Sequence, residues 1–95
     1  MPLFVLTCVD HPGALERRMS VRESHLAYVR EHIAMVRLAG PLLDDAGDMA
    51  GSMFVIEAAD RAAVEAFSAA DPYRVAGVFE RVEILPWKVT VGAIA

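Results

Sequence analysis

The sequence predicts an α+β fold built from one antiparallel sheet and two helices, in the order strand, helix, strand, strand, helix, strand. Three observations carry that expectation. Short β-rich apolar runs alternate with longer stretches of helical spacing. Gly, Pro and Asp cluster between them, where turns belong. At 95 residues, with 56% hydrophobic and 23% charged side chains, the chain suits a single globular domain spanning residues 1–95.

Each element has its own warrant. Residues 3–9 (LFVLTCV) form an apolar run that suits a strand buried on both faces, and Asp10-His11-Pro12-Gly13 breaks it. Ser20-Val21-Arg22-Glu23 has the spacing of a capping box, which predicts a first helix from there to about Leu38. Leu26, Val29, Ile33 and Val36 would give it an apolar face. Gly40 then reads as its C-terminal cap and Pro41 as its stop. Leu42-Leu43 opens a short second strand, residues 44–48 make a polar turn, and residues 52–58 (SMFVIEA) form the third strand of a hairpin. Asp60 is placed to cap a second helix carrying Val64 and Phe67. Asp71-Pro72 starts another short helix, closed by Gly77. The last strand covers residues 78–91, and its apolar parity flips at Pro86, which predicts a bulge or an edge position. Together these make a ferredoxin-like βαββαβ sandwich with both helices on one face of the sheet.

Composition excludes several functions. A net charge of −4 is wrong for a phosphate-binding face. The third strand has one Phe and no Lys or Arg, unlike an RNA-binding sheet of this fold. No run reaches the roughly 18 apolar residues of a membrane helix, and no secretory pattern opens the chain. Cys8 is the one cysteine, so an internal disulfide is impossible and a reducing cytoplasm is expected. Cys8 itself reads as a small core hydrophobe. No glycine-rich phosphate loop and no metal-ligand spacing occurs: His25 and His32 lie seven apart, about 10 Å along a helix, too far to share an ion. Chemistry without metal or cofactor is therefore expected. A mean hydropathy of +0.39 is high for so small a chain, which predicts a homodimer burying the open sheet face. Trp87 and the tail at 91–95 are further surfaces that a larger homo-oligomer would use.

Histidine is the side chain best suited to move protons near neutral pH. His25 sits beside the apolar stripe of the first helix, whereas spacing alone gives His32 and His11 only local structural roles, and gives Asp71 a helix cap. A set of short pieces runs along the chain: the strand ending in Asp10, Arg17-Arg18, His25-Leu26-Ala27-Tyr28, Gly40-Pro41-Leu42 and the Gly47 turn. Gly51-Ser52, Asp71-Pro72-Tyr73 and Ile84-Leu85-Pro86-Trp87 complete the set. In this order and spacing the chain resembles the YciI-like (YCII-related) family over nearly its whole length. It implies a dimeric α/β barrel, relatives that include a dehalogenating enzyme of chloroaromatic breakdown, and an active site in which His25 and Asp71 meet. A carboxylate on one ring nitrogen would fix the imidazole tautomer and favour its protonated form. The other nitrogen would then move a proton on a carbonyl compound or lactone. Arg17, Arg18 or Arg22 would hold a substrate carboxylate, with Ser52 and Tyr73 completing the binding site.

Three functions follow as expectations. The first is a cofactor-free lyase, isomerase or dehalogenase acting on a small anionic molecule. The second is a non-catalytic ligand-binding module using the same cleft, and the third is a cofactor-independent monooxygenase.

Overall fold

Along β1 (Leu3–Asp10) every second side chain is buried, which aims Phe4, Leu6, Cys8 and Asp10 at the helices and Leu3, Val5, Thr7 and Val9 at the opposite face. The computed structural model describes residues 1–93. Helix α1 (Leu15–Glu31) follows, then β2 (Val36–Leu43), β3 (Met49–Glu57), α2 (Arg61–Ala70), the single turn α3 (Pro72–Val75) and β4 (Phe79–Trp87). The strands lie in the order β2-β3-β1-β4 and all neighbours are antiparallel, the expected ferredoxin-like arrangement.

The main core lies between sheet and helices. Phe4, Leu6 and Cys8 from β1, Phe54 and Ile56 from β3 and Ile84 from β4 meet Val64 and Phe67 of α2. Each large apolar side chain buried there contributes about 1.5–3 kcal/mol. Helix α2 begins as expected: the Asp60 carboxylate accepts from the Ala63 amide at 2.9 Å, a cap worth about 1 kcal/mol. Asp71 likewise accepts from the Tyr73 amide at 2.9 Å with Pro72 behind it, and Gly77 at φ +75° ends the turn.

The first helix corrects the sequence expectation at both ends. It starts five residues before Ser20, whose hydroxyl donates to the Arg17 carbonyl at 2.7 Å and caps nothing. The entry is set by packing instead, with Ala14 buried against Tyr73 and Val78. The helix stops at Glu31, because the segment from Val36 onward gains more by pairing with β3. Gly40 and Pro41 therefore sit within β2, opposite Met53 and Ser52. Proline is tolerated because β2 is an edge strand and its outer side needs no donor. The Pro86 parity flip has a related cause. Pro86 lies on β4, the other edge strand, in register with Phe4 of the central β1, and the only irregularity of β4 lies opposite Val9 and Asp10. Val82 and Ile84 face the helices while Leu85 and Trp87 face outward, so both faces of β4 are apolar and no bulge is needed. The strand ends at Trp87, short of the expected Val91, and of the tail, Ile94 and Ala95 lie outside the described residues.

Gly51 has a specific reason to be glycine. A Cβ there would overlap the Cys8 carbonyl oxygen on the neighbouring strand. Gly51→Ala should lower stability by about 1–3 kcal/mol, read as a shift of the urea midpoint. An unchanged midpoint would mean that the two strands separate freely.

Candidate active site

Two polar clusters occupy the space between α1 and the sheet, where an ordinary helix would place only apolar groups. Arg18, Val21, His25, Tyr28 and Val29 recur at spacings of three and four, so they share the face that packs on the sheet. Arg18 and His25, the two of the five that carry or can take up a positive charge, are both buried.

Arg18 is 2% exposed. Its Nε donates to Asp10 Oδ2 at 2.8 Å and its Nη2 to Asp10 Oδ1 at 3.0 Å, a bidentate fork. Nη2 also donates to Ser52 Oγ at 2.9 Å, and the guanidinium lies 4.3 Å from the centre of the Tyr73 ring. Burial works against the guanidinium charge, and the Asp10 carboxylate more than offsets it, so the Arg18 pKa stands above its ordinary value. For Tyr73 burial dominates and pushes the phenol up, opposed by Arg18 and Arg22, so it stays neutral near pH 7.

The second cluster is the expected pair. His25 Nδ1 lies 2.8 Å from Asp71 Oδ1, the same oxygen that accepts from the Tyr73 amide. Asp71 thus caps α3 and holds His25 at once. The imidazole stacks on the Tyr73 ring at 3.9 Å and 17° and meets Phe54 edge-on at 6.0 Å. Tyr73 accordingly touches both clusters, packing against Arg18 and His25, which lie two helical turns apart. With Asp71 accepting, Nδ1 carries the ring proton in the neutral form and Nε2 is the acceptor. Among the described residues Nε2 has no protein partner, and no unpartnered side-chain polar atom is sealed from solvent.

His25 lines a cleft of about 340 Å³ between α1 and the β2 edge of the sheet. Arg18, Arg22 and Arg37 also line it, as do Ser52, Phe54 and Tyr73, whereas no Asp or Glu does among the described residues. Arg37 is paired with Glu57 at 3.1 Å on the surface. Arg22 has no such partner among the described residues, so its charge is available to a bound anion.

The structure thus brings together His25, Asp71, Arg18, Arg22, Ser52 and Tyr73. Arg17 is not among them. One residue along a helix is about 100° of rotation, and Arg17 points instead toward the Gly77 carbonyl, 3.4 Å away outside the cleft. Arg18 spends its fork on Asp10 and Ser52, so it organises the cleft wall and is not a free clamp for a carboxylate. Sequence reasoning missed Asp10 as its partner. The signal was present, since alternation along β1 puts residues 4, 6, 8 and 10 on the core side, and an acid there requires a cation. His32 caps the end of α1, its Nδ1 2.8 Å from the Tyr28 carbonyl, and His11 lies in the exposed turn after β1.

Cys8 plays no part in this chemistry. Burial, with a smaller contribution from Asp71, pushes its thiol up from 9.0 to about 12. The native protein at pH 8 should resist thiol reagents, labelling only as fast as it unfolds. Rapid stoichiometric labelling would contradict this burial. Since the folded value is the higher one, the thiol's contribution to stability is complete below about pH 9 and is lost as the pH rises toward 12.

Among the described residues no group of three His, Cys, Asp or Glu side chains is placed to hold a metal ion, and no helix is long and apolar enough to cross a membrane.

Comparison with known proteins shows the family and the fold. Residues 2–88 match the model of the YCII-related domain. Protein YciI of Escherichia coli O6:H1 is 37% identical over 94 residues, covering 90% of this chain and 96% of that protein. An uncharacterized protein of Haemophilus influenzae is 36% identical over 93 residues, covering 90% and 95%. Among solved structures, a 5-chloro-2-hydroxyhydroquinone dehydrochlorinase from Burkholderia phenoliruptrix, in complex with 2,5-dihydroxybenzoquinone, superposes with a TM-score of 0.84. It is 34% identical and covers 90% of this chain and 93% of its own. An antibiotic biosynthesis monooxygenase superposes at 0.58 with 13% identity, covering 96% of this chain and all of its own, and shares the fold alone. On sequence and on structure, the chain belongs to the YCII-related family.

Proposed function

We propose that the protein is a cofactor-free enzyme of the lyase, isomerase or dehalogenase type, acting on a small anionic ring compound with His25 as general acid/base and Asp71 as its orienting partner. One observation carries this reading: His25 is held through Nδ1 at 2.8 Å while its ring lines a cleft whose wall carries arginines and, among the described residues, no carboxylate. The similarity to a dehydrochlorinase supports the elimination form of the reaction. In that form Nε2 takes a proton from the substrate, the released electron pair becomes a new double bond, and the leaving group departs as an anion with its own bonding pair. Atoms and charge balance without an oxidant. In the isomerase form the same proton returns at another carbon.

The cleft wall suits the negative charge that develops on a ring oxygen. Ser52 Oγ accepts from Arg18, which leaves the hydroxyl proton free to donate to substrate. Arg22 supplies a second donor at the mouth. Mass spectrometry of small hydroxylated ring acids, quinols and lactones incubated with wild type and with His25→Gln tests the reading. Conversion by the wild type alone is expected. A ligand that binds and stays unchanged would assign the cleft to a binding module, and oxygen consumption with a phenol would assign it to monooxygenation.

The same reading makes the protein a homodimer of the reducing cytoplasm, with no nucleic acid or membrane partner. Leu38 and Leu85 are 55% and 52% exposed on the sheet face away from the helices, beside Met53 and Trp87. A contiguous apolar patch of that kind is rare on a monomer. Light scattering should give twice the chain mass, and Leu38→Glu with Leu85→Lys should reduce it to one; a wild-type monomer would refute the assignment.

A further inference from the structure

The cleft is polar at one end and apolar at the other. The residues of α1 that line it are, in chain order, Arg18, Arg22, His25, Leu26 and Val29, followed by Ile33 just past the helix end. Polar side chains come first and apolar ones last. On the facing strands, β3 follows the same order, whereas Pro41 and Met49 add apolar groups at the arginine end. Ser52 pairs with Pro41 at the arginine end, Phe54 with Ala39 in the middle, and Ile56 with Val36 at the far end, where Val36 lines the wall. Arg37, next to Val36 in the chain, also lines the cleft, and its charge is paired with Glu57. Arg22 and Val29 are seven residues apart, about 10 Å along the axis. The volume of about 340 Å³ is roughly twice the ~150 Å³ cavity that holds a bare benzene ring. A single hydroxylated ring bound at Arg22, Ser52 and His25 therefore leaves the apolar end empty. Ile33, 64% exposed, would be left facing water beside it.

We propose that the ligand of this cleft is a two-part molecule, an anionic oxygenated ring bearing an apolar substituent that lies along Leu26, Val29, Ile33 and Val36. This inference rests on the reading of the site as one for small anionic rings. It adds the substrate class: alkyl- or aryl-substituted ring compounds are preferred to the bare ring. The ring's charged oxygens meet Arg22 and the Ser52 hydroxyl, the reacting atom faces His25 Nε2, and the substituent displaces water from the apolar wall.

Calorimetric titration of 2,5-dihydroxybenzoquinone and of its 3-propyl derivative, each into the wild type and into Ile33→Asp, tests this. A fully buried methylene tightens binding by about fourfold. Against a half-open wall, the propyl compound should bind about tenfold more tightly than the bare ring. In Ile33→Asp the ratio of the two affinities should fall toward one, a readout that a general loss of protein quality would not produce. Equal binding of the two compounds by the wild type, with the bare ring bound, overturns the two-part ligand and leaves the anion site standing. A propyl advantage that survives in Ile33→Asp overturns the placement of the substituent. Failure of both compounds to bind overturns the anion site and this inference with it.

Discussion

Replacing His25 by glutamine is expected to slow turnover of a confirmed substrate by about two to four orders of magnitude, the range contributed by a positioned general acid or base. Glutamine can still donate an amide hydrogen to Asp71 and fill much of the space against Tyr73, so the fold should survive. What it lacks is a nitrogen that takes up and releases a proton. Asp71→Asn is the informative companion. Asparagine remains a good cap for the Tyr73 amide. Its amide can rotate to offer His25 a donor as readily as an acceptor, so the Nδ1–H tautomer is no longer enforced. The loss should appear mainly in kcat, with KM little changed, because the interaction acts on the reacting group and not on substrate binding. Nitrogen-15 spectra of the imidazole supply a readout that simple unfolding would not mimic: an Nδ1–H ring in the wild type and a mixture in Asp71→Asn. Wild-type kcat/KM in His25→Gln would end the acid/base assignment.

The second large effect is on stability. Arg18→Met removes one partner of a buried pair and leaves the Asp10 carboxylate without its bidentate donor. Losses for such a change run to about 3–5 kcal/mol, much of it the cost of an uncompensated buried charge. For a domain of this size each kcal/mol lowers Tm by roughly 4–8 °C, so a fall of roughly 12 °C or more is expected by calorimetry. Arg18→Met combined with Asp10→Leu should recover much of that, since two apolar groups leave no charge stranded. Arg18→Lys keeps the charge but cannot supply the fork and the Ser52 bond together, so it should fall between. If Arg18→Met unfolds within a degree or two of the wild type, the pair is solvated and does not brace the cleft wall.

Much of this architecture was legible in the chain. The βαββαβ order follows from punctuation by Gly, Pro and Asp, and both aspartate caps, Asp60 and Asp71, stand where the residue types place them. Local signals failed where a tertiary contact outbid them. Ser20 and Glu23 have the spacing of a helix start, yet the helix is already running, because Ala14 packs beneath Tyr73 and Val78. Gly40 and Pro41 look like a helix end and belong to an edge strand, because seven of the eight residues of β2 find partners on β3. The site divides in the same way. His25 and Asp71 were singled out by resemblance to a family, and the structure sets them 2.8 Å apart. The pairing of Asp10 with Arg18 was not foreseen.

The sequence by itself determined the order of the elements, the two helix caps, the acidic and apolar character of the chain and its one isolated thiol. These depend on residue type and short-range spacing, which the chain carries without reference to its fold. Only the tertiary structure decided which arginines enter the cleft wall, that Tyr73 packs against both Arg18 and His25, and that α1 lines the groove with polar side chains at one end and apolar ones at the other. Those facts depend on side chains from α1, α3 and three strands, as far apart in the chain as Asp10 and Tyr73, meeting around one guanidinium. No local pattern encodes such meetings. They are settled when burying the core fixes how α1 is rotated against the sheet, and that rotation turns Arg18 and His25 inward while leaving Arg17 outside.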